Sequence, residues 1–233
     1  MRCSLFGKLA AKRDFIAVGA PRDFLSVWEP WMQSSVSASQ HSLGKAWQGA
    51  FLAAPIWRFW LGAEICGTTV LGAFMSSLDG MGRYYPLTLF ACADPGGSIP
   101  PPDIEVQDQW FLGAEDFLLS TLDRAIAYEA LIGALDQLPP PMHSSADAAP
   151  TGMTRLAGGA MVTFLGGGSF SEEFAALRAA NHASAHAAAS FWWTVGGTDF
   201  HPVGLCCRRM PDPALQAGML TGQFTQTLAP TDA

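Results

Sequence analysis

The sequence predicts a layered α/β domain in which helices cover both faces of a mixed β-sheet. Segments with helical spacing of apolar residues alternate with short apolar segments rich in β-branched and aromatic residues. Hydrophobic residues make up 49% of the 233 residues and charged residues only 14%, which is enough for a large core. The last predicted strands are too few for a second core, so we expect one domain over residues 1–225 and a flexible tail at 226–233.

The N-terminal half is predicted to contain two helices and four strands. In order, these are a strand at Leu5–Leu9, helices at Pro21–Leu43 and Lys45–Ala53, and strands at Ile56–Ala63, Thr68–Ser76 and Leu87–Ala93. Pro21 suits the first turn of a helix, whereas Pro30 predicts a kink or break near Glu29. The last three strands are closely spaced, so we expect them to be antiparallel neighbours.

The C-terminal half is predicted to alternate helices and strands around a loop. It comprises a helical pattern over Val106–Leu138, a Pro/Ala/Ser/Gly-rich loop over 139–159, a strand at Ala160–Leu165, a helix at Ser171–Ala189, strands at Phe191–Val195 and Val203–Arg208, and a helix at Pro213–Leu220.

Charge and hydropathy argue against nucleic acid and membrane as partners. The formal net charge is −7, and no run of basic residues could neutralise phosphates or dock on an anionic bilayer. The N-terminus lacks the apolar core of a signal peptide. The most apolar stretch, Ile56–Met75, is interrupted by Arg58, Glu64 and glycines. We therefore expect a cytoplasmic protein without membrane insertion.

Neither a cofactor nor a metal site is predicted. The five cysteines form no C-x-x-C pair, so we expect buried free thiols. Gly166–Gly168 lies between a predicted strand and helix, but the helix opens with two glutamates that would repel a phosphate. His182 and His186 are four residues apart, and His201 is the only further histidine nearby, so the metal signal is weak.

The turn Asp79–Leu89 holds two glycines, an acid, a base and two tyrosines before an apolar run. Two interpretations remain open. Asp79 and Arg83 could pair and hold the turn, or the turn could be a surface recognition loop. No nucleophile elbow is present, so an enzyme is not predicted. An unrecognised hydrolase that uses Asp79 or His201 is the rival hypothesis.

Five segments in order resemble the TagF (ImpM) family of type VI secretion-associated proteins. They are the string 7–15 (GKLAAKRDF), the region 24–31 with its two tryptophans, the string 54–59 (APIWRF), the turn 79–89, and the double tryptophan within 190–197. The family's proline and glycine in the first string are Ala10 and Arg13 here. Both changes remove a residue with special backbone conformational properties, so we expect a loop of different shape.

The resemblance implies a three-layer α/β/α sandwich with no cofactor and no known catalytic residue. It also implies a cytoplasmic, non-enzymatic regulator that represses type VI secretion after translation by engaging the forkhead-associated protein Fha, in opposition to the kinase-driven activation branch. The alternative within the same system is an accessory component of the secretion apparatus.

Two loops are the candidate partner-binding site. Charged and tyrosine side chains on glycine-shaped loops suit the rims and anchors of interfaces. The candidate contact residues are Lys8, Lys12, Arg13 and Asp14 in the first loop, and Asp79, Arg83 and Tyr84 in the second.

Overall fold

The computed structural model describes residues 1–145, 153–156, 160–163 and 169–224. Its strands are β1 (Cys3–Gly7), β2 (Ile16–Val18), β3 (Trp57–Leu61), β4 (Val70–Met75), β5 (Leu87–Cys92), β6 (Gly97–Ser98), β7 (Ser144–Ser145), β8 (Met153–Arg155), β9 (Met161–Thr163), β10 (Ala189–Thr194) and β11 (Val203–Arg208). Its α-helices are α1 (Arg22–Leu43), α2 (Trp47–Ala53), α3 (Ala63–Cys66), α4 (Asp108–Ser120), α5 (Tyr128–Gln137), α6 (Phe170–Ala180), α7 (His182–Ala185) and α8 (Gln216–Thr221).

Seven strands form one sheet in the order β11-β10-β3-β4-β5-β1-β2. All neighbouring pairs in this sheet are antiparallel, so the predicted mixed sheet is wrong. Short connections account for four of the six pairs, because β1 and β2, β3 and β4, β4 and β5, and β10 and β11 follow one another closely and strands joined in this way run antiparallel. The pairs β1–β5 and β3–β10 join strands that are distant in sequence. The expectation that the three central strands are antiparallel neighbours is confirmed.

Side chains of the central strands alternate between two apolar clusters. In β4, Val70 and Phe74 pack with the aromatic residues of α1, whereas Leu71, Ala73 and Met75 pack with the apolar residues of α4 and α5. This alternation is the period of two that a strand buried on both faces requires. Sheet and helices together confirm the α/β class.

Helix α1 continues through Pro30, so the predicted break near Glu29 does not occur. Proline removes one backbone hydrogen bond, but the flanking residues Trp28, Trp31 and Met32 are buried against the sheet and hold the helix in place. The helix ends at Leu43 and is followed by Gly44, whose φ of 51° is disfavoured for other residues.

Other differences from the predicted elements are local. The helical pattern over 106–138 is two helices, α4 and α5, and the predicted helix at 171–189 ends at Ala180 before the short α7. The short strands β2, β6, β7 and β8 and the helix α3 were not predicted, and β7 and β8 lie within the predicted loop 139–159. The stretches 146–152, 157–159 and 164–168 and the predicted tail lie outside the described residues. Within the described ranges, no helix combines the length and apolarity needed to cross a bilayer.

Candidate functional site

The two predicted loops lie side by side because of a close approach at Gly7. Its φ is 133°, and a Cβ atom there would lie 2.1 Å from the carbonyl oxygen of Pro86. Only glycine fits both constraints. The chain therefore leaves β1 directly against the start of β5, and the first loop runs alongside the second.

The Asp79 carboxylate is the centre of the second loop. Oδ1 accepts the backbone N–H groups of Met81 and Arg83, each at 2.9 Å. Oδ2 lies 2.7 Å from Nε of Arg83 and 3.1 Å from Nζ of Lys8. The carboxylate is fully buried, and the Lys8 side chain is almost fully buried. One buried anion thus links both loops and closes the turn.

The surroundings of Asp79 shift the pKa of its carboxyl group in two opposite directions. Burial by itself raises the pKa of the carboxyl. The hydrogen bonds from the Arg83 backbone, from the Lys8 and Arg83 side chains and from the Met81 backbone outweigh burial and hold the pKa well below its usual range. The group is therefore ionised throughout the neutral and mildly acidic range.

Three further hydrogen bonds, each accepted by a backbone carbonyl of the first loop, join the two loops. The Ser77 hydroxyl donates to the carbonyl of Lys8 at 2.8 Å, and the Gly80 N–H donates to the carbonyl of Lys12 at 2.7 Å. Nη2 of Arg83 donates to the carbonyl of Arg13 at 2.5 Å. Because these bonds cross between the loops at three points, the loops are held as one unit.

The predicted site residues differ in exposure. Arg13 is exposed, the Asp14 side chain is 97% exposed, and the Arg83 side chain is 58% exposed. Nη2 of Arg83 lies 4.0 Å from Oδ1 of Asp14. By contrast, Lys8 and Asp79 are buried in the ion pair described above. The structure therefore contains the Asp79–Arg83 pair, and it also leaves part of Arg83 at the surface.

Lys12 and Tyr84 are half-buried and contact different elements. Nζ of Lys12 lies 3.8 Å from the ring centre of Tyr128, a cation–π contact. The Tyr84 ring packs edge-on against Trp47 and Phe51, and its hydroxyl accepts a hydrogen bond from Gln48. Tyr84 thus fastens the second loop to α2.

Two exposed apolar residues of the loops were not predicted as contacts. Phe15 is 46% exposed, and its ring centre lies 4.7 Å from that of Tyr85; Met81 is 64% exposed. In the sequence an aromatic residue directly follows the charged string and a methionine stands between two glycines, but the exposure of these side chains depends on tertiary packing. We call the exposed residues Arg13, Asp14, Phe15, Met81 and Arg83 the two-loop surface.

The histidines considered as metal ligands bind separate partners. Nε2 of His182 lies 3.0 Å from the Ser98 hydroxyl, and Nε2 of His186 lies 3.3 Å from an Asp103 oxygen. Among the residues that the structure places, no group of three or more His, Cys, Asp or Glu side chains could hold a metal ion. All five cysteines are free, but only Cys3 and Cys66 are buried as expected; Cys92 and Cys207 are half-buried, and Cys206 is exposed.

Comparisons with known proteins identify the family. The family profile described as "TagF N-terminal domain, Type VI secretion system-associated" matches residues 4–138, more than half of the chain. The crystal structure of PA0076 from Pseudomonas aeruginosa PAO1 is similar over 96% of this chain and 96% of that chain, with a TM-score of 0.77 and 30% sequence identity. No curated protein matches. The chain therefore belongs to the TagF family of type VI secretion-associated proteins.

Proposed function

We propose that this chain represses type VI secretion after translation by binding the forkhead-associated protein Fha, and that it does so without catalysis. Membership of the TagF family supports the link to type VI secretion. The observation that carries the binding role is the two-loop surface, in which charged and apolar side chains are exposed to solvent. These side chains belong to two loops that the buried ion pair of Lys8, Asp79 and Arg83 holds together, and we call these joined loops the frame.

The frame suits binding because it is organised before a partner arrives. Ordering flexible loops on binding costs free energy, and loops that are already cross-linked by hydrogen bonds avoid most of that cost. Here both loops are held by the buried Asp79 carboxylate and by the bonds from Gly80 and Arg83. Phe15 and Met81 can act as apolar anchors, with Arg13, Asp14 and Arg83 as the charged rim.

The proposal also includes a cytoplasmic location and a three-layer α/β/α arrangement of the sheet and helices. A cytoplasmic location follows from the proposed partner. The three-layer α/β/α description is supported by the two apolar clusters, one shared with α1 and the other with α4 and α5.

A pull-down with the cognate Fha tests the binding role. Arg13→Glu reverses a charge at the surface, where only the backbone carbonyl of that residue serves the frame. We expect this variant to retain much less Fha than the unmodified chain. Asp199→Lys is the matched control, because this exposed residue lies outside both loops. Equal retention of Fha by both variants and the unmodified chain would contradict binding of Fha through the two-loop surface.

Secretion assays test the repression. Deletion of the gene should raise secretion of a type VI substrate, and overexpression should lower it while the amounts of apparatus proteins stay constant. Unaltered secretion in both cases would contradict repression. Co-sedimentation of a stoichiometric pool with the assembled apparatus would instead support an accessory component.

A further inference from the structure

The two edges of the seven-stranded sheet differ in how well they are protected. At one edge β2 has three residues, and short edge strands resist pairing with other chains. At the other edge β11 has six residues, VGLCCR, with no proline, no lysine and a charge only at its end. In the part of the chain that the structure describes, β11 pairs with β10 alone.

The hydrogen bonds of β10 show which backbone groups of β11 face outward. The carbonyl of Ala189 accepts from Gly62, towards β3, whereas the carbonyl of Ala188 accepts from Arg209, towards β11. In a strand these directions alternate from residue to residue. With the observed register, the N–H and C=O groups of Val203, Leu205 and Cys207 face β10, and those of Gly204, Cys206 and Arg208 face away from it.

A groove lies beside this outward edge. It has a volume of about 370 Å³, and its lining includes Asp103, Val106, Trp193, Gly204 and Cys206. Its acidic member is Asp103, whose side chain is 35% exposed and whose Oδ2 lies 3.3 Å from Nε2 of His186, and Val106 adds an exposed apolar wall. Because Gly204 has no side chain, the groove is open next to the edge at that position.

We propose that β11 pairs in antiparallel fashion with β11 of a second copy of this chain, with Cys206 on the two-fold axis. Cys206 then faces Cys206 of the other copy in a hydrogen-bonded pair, and Arg208 of each copy lies opposite Gly204 of the other. The outward groups of Gly204, Cys206 and Arg208 all find partners in this register. The result is one continuous sheet of two copies.

Charge complementarity selects a second copy as the occupant. Opposed residues in an antiparallel pair have their side chains on the same face of the sheet. Arg208 of one copy therefore extends over Gly204 of the other, next to the groove that contains Asp103. The two-fold axis makes this basic-to-acidic contact twice, and no two like charges are directly opposite. Six-residue strands bury little surface, so we expect a weak, concentration-dependent dimer.

Sedimentation velocity over a concentration series tests the dimer. The unmodified chain should shift from monomer to dimer as its concentration rises. Cys206→Asp places two carboxylates opposite each other on the axis and should weaken dimerisation by about tenfold or more. Cys207→Ser is the matched control, because the backbone groups of that residue face β10, and it should dimerise like the unmodified chain. A chain that stays monomeric at all concentrations, or a Cys206→Asp variant with undiminished dimerisation, would overturn the proposal.

A charge swap tests the register. Arg208→Glu should weaken the dimer, and Arg208→Glu combined with Asp103→Arg should restore it, since both contacts are then reversed. Circular dichroism spectra of each variant establish that it is folded. Failure of the double variant to regain any dimerisation while it remains folded would contradict the proposed register. None of these results depends on Fha, so failure of the dimer proposal and failure of the proposed repressor role can be distinguished.

Thiol cross-linking locates the axis. Cα atoms of a hydrogen-bonded antiparallel pair are about 5.5 Å apart, so a short bis-maleimide should join two copies through Cys206. The product should form in the Cys207→Ser variant and be absent in Cys206→Ser. Equal cross-linking of both variants would place the contact elsewhere and overturn the proposal.

Discussion

Replacement of Asp79 by asparagine tests the idea that a buried ion pair holds the two loops. The change keeps the shape of the side chain but removes the charge that Lys8 and Arg83 share. Asparagine also presents an NH₂ group where the carboxylate had an acceptor oxygen. Lys8 then stays buried without a counter-charge, and an unpaired buried charge strongly lowers the stability of the folded protein.

The expected loss follows from the geometry. Breaking a buried ion pair by removing one partner costs about 3–5 kcal/mol. For a chain of 233 residues, each kcal/mol corresponds to about 2–4 °C in Tm. We therefore expect Asp79→Asn to lower the Tm by about 6–20 °C. Urea unfolding followed by tryptophan fluorescence measures the same loss at constant temperature.

The loss should depend on pH with a definite sign. The pKa of Asp79 in the folded protein is below that in the unfolded chain, which is about 3.9. The stabilisation by the carboxylate is therefore complete well above pH 3.9 and is lost as the pH falls towards the folded-state pKa. The difference in unfolding free energy between the unmodified chain and Asp79→Asn should be constant near neutral pH and shrink below about pH 4.

Asp14→Asn is the matched control. The Asp14 side chain is 97% exposed and lies 4.0 Å from Arg83. Exposed pairs contribute little, so this variant should unfold within about 0.5 kcal/mol of the unmodified chain. If Asp79→Asn loses less than about 1 kcal/mol, or if its deficit does not shrink in acid, the buried ion pair is not what holds the loops.

Three further predictions concern the close approach at Gly7, the apolar core and the cysteine thiols. Gly7→Ala should lower the free energy of unfolding in urea by about 1–3 kcal/mol or more, because a Cβ atom at this position would overlap the carbonyl oxygen of Pro86. Gly49→Ala, where a Cβ atom on α2 meets open space, should be neutral or stabilising. Equal effects of the two substitutions would contradict the close approach at Gly7. Trp192→Ala removes a fully buried indole and should cost about 3–5 kcal/mol; a loss below about 1 kcal/mol would place that indole outside the core. Burial raises the pKa of Cys66 to about 11, so at pH 8 a thiol reagent should label exposed Cys206 in the native protein and Cys66 only after denaturation, as measured by peptide mass spectrometry; native labelling of Cys66 would contradict its burial.

Local patterns predicted much of the fold. The central strands and α1 were visible as apolar runs and helical spacing, and their bounds agree within a few residues. The sheet type was not predictable in the same way. Strand β1 pairs with β5, and β10 pairs with β3, in addition to their sequence neighbours β2 and β11. The strands β5 and β3 are distant in sequence from β1 and β10, and no local pattern specifies such pairings.

In the candidate site too, contacts between residues close in sequence were predictable, whereas contacts that depend on strand pairing were not. The Asp79–Arg83 pair was foreseeable because the acid and the base stand four positions apart across a glycine turn. The role of Lys8 was not, since its contact with Asp79 depends on how β1 and β5 pair. The exposure of Phe15 also depends on tertiary packing, because the sequence alone suggests burial for an aromatic side chain.

The most direct test of the proposed function is a calorimetric titration of purified Fha into the purified chain. The unmodified chain and Asp199→Lys should bind with the same affinity. The double variant Arg13→Glu/Asp14→Lys, which changes exposed side chains and leaves the Asp79 ion pair intact, should bind at least about tenfold more weakly at an unchanged Tm. Equal affinity for all three proteins, or no binding by any of them, would contradict recognition of Fha through the two-loop surface.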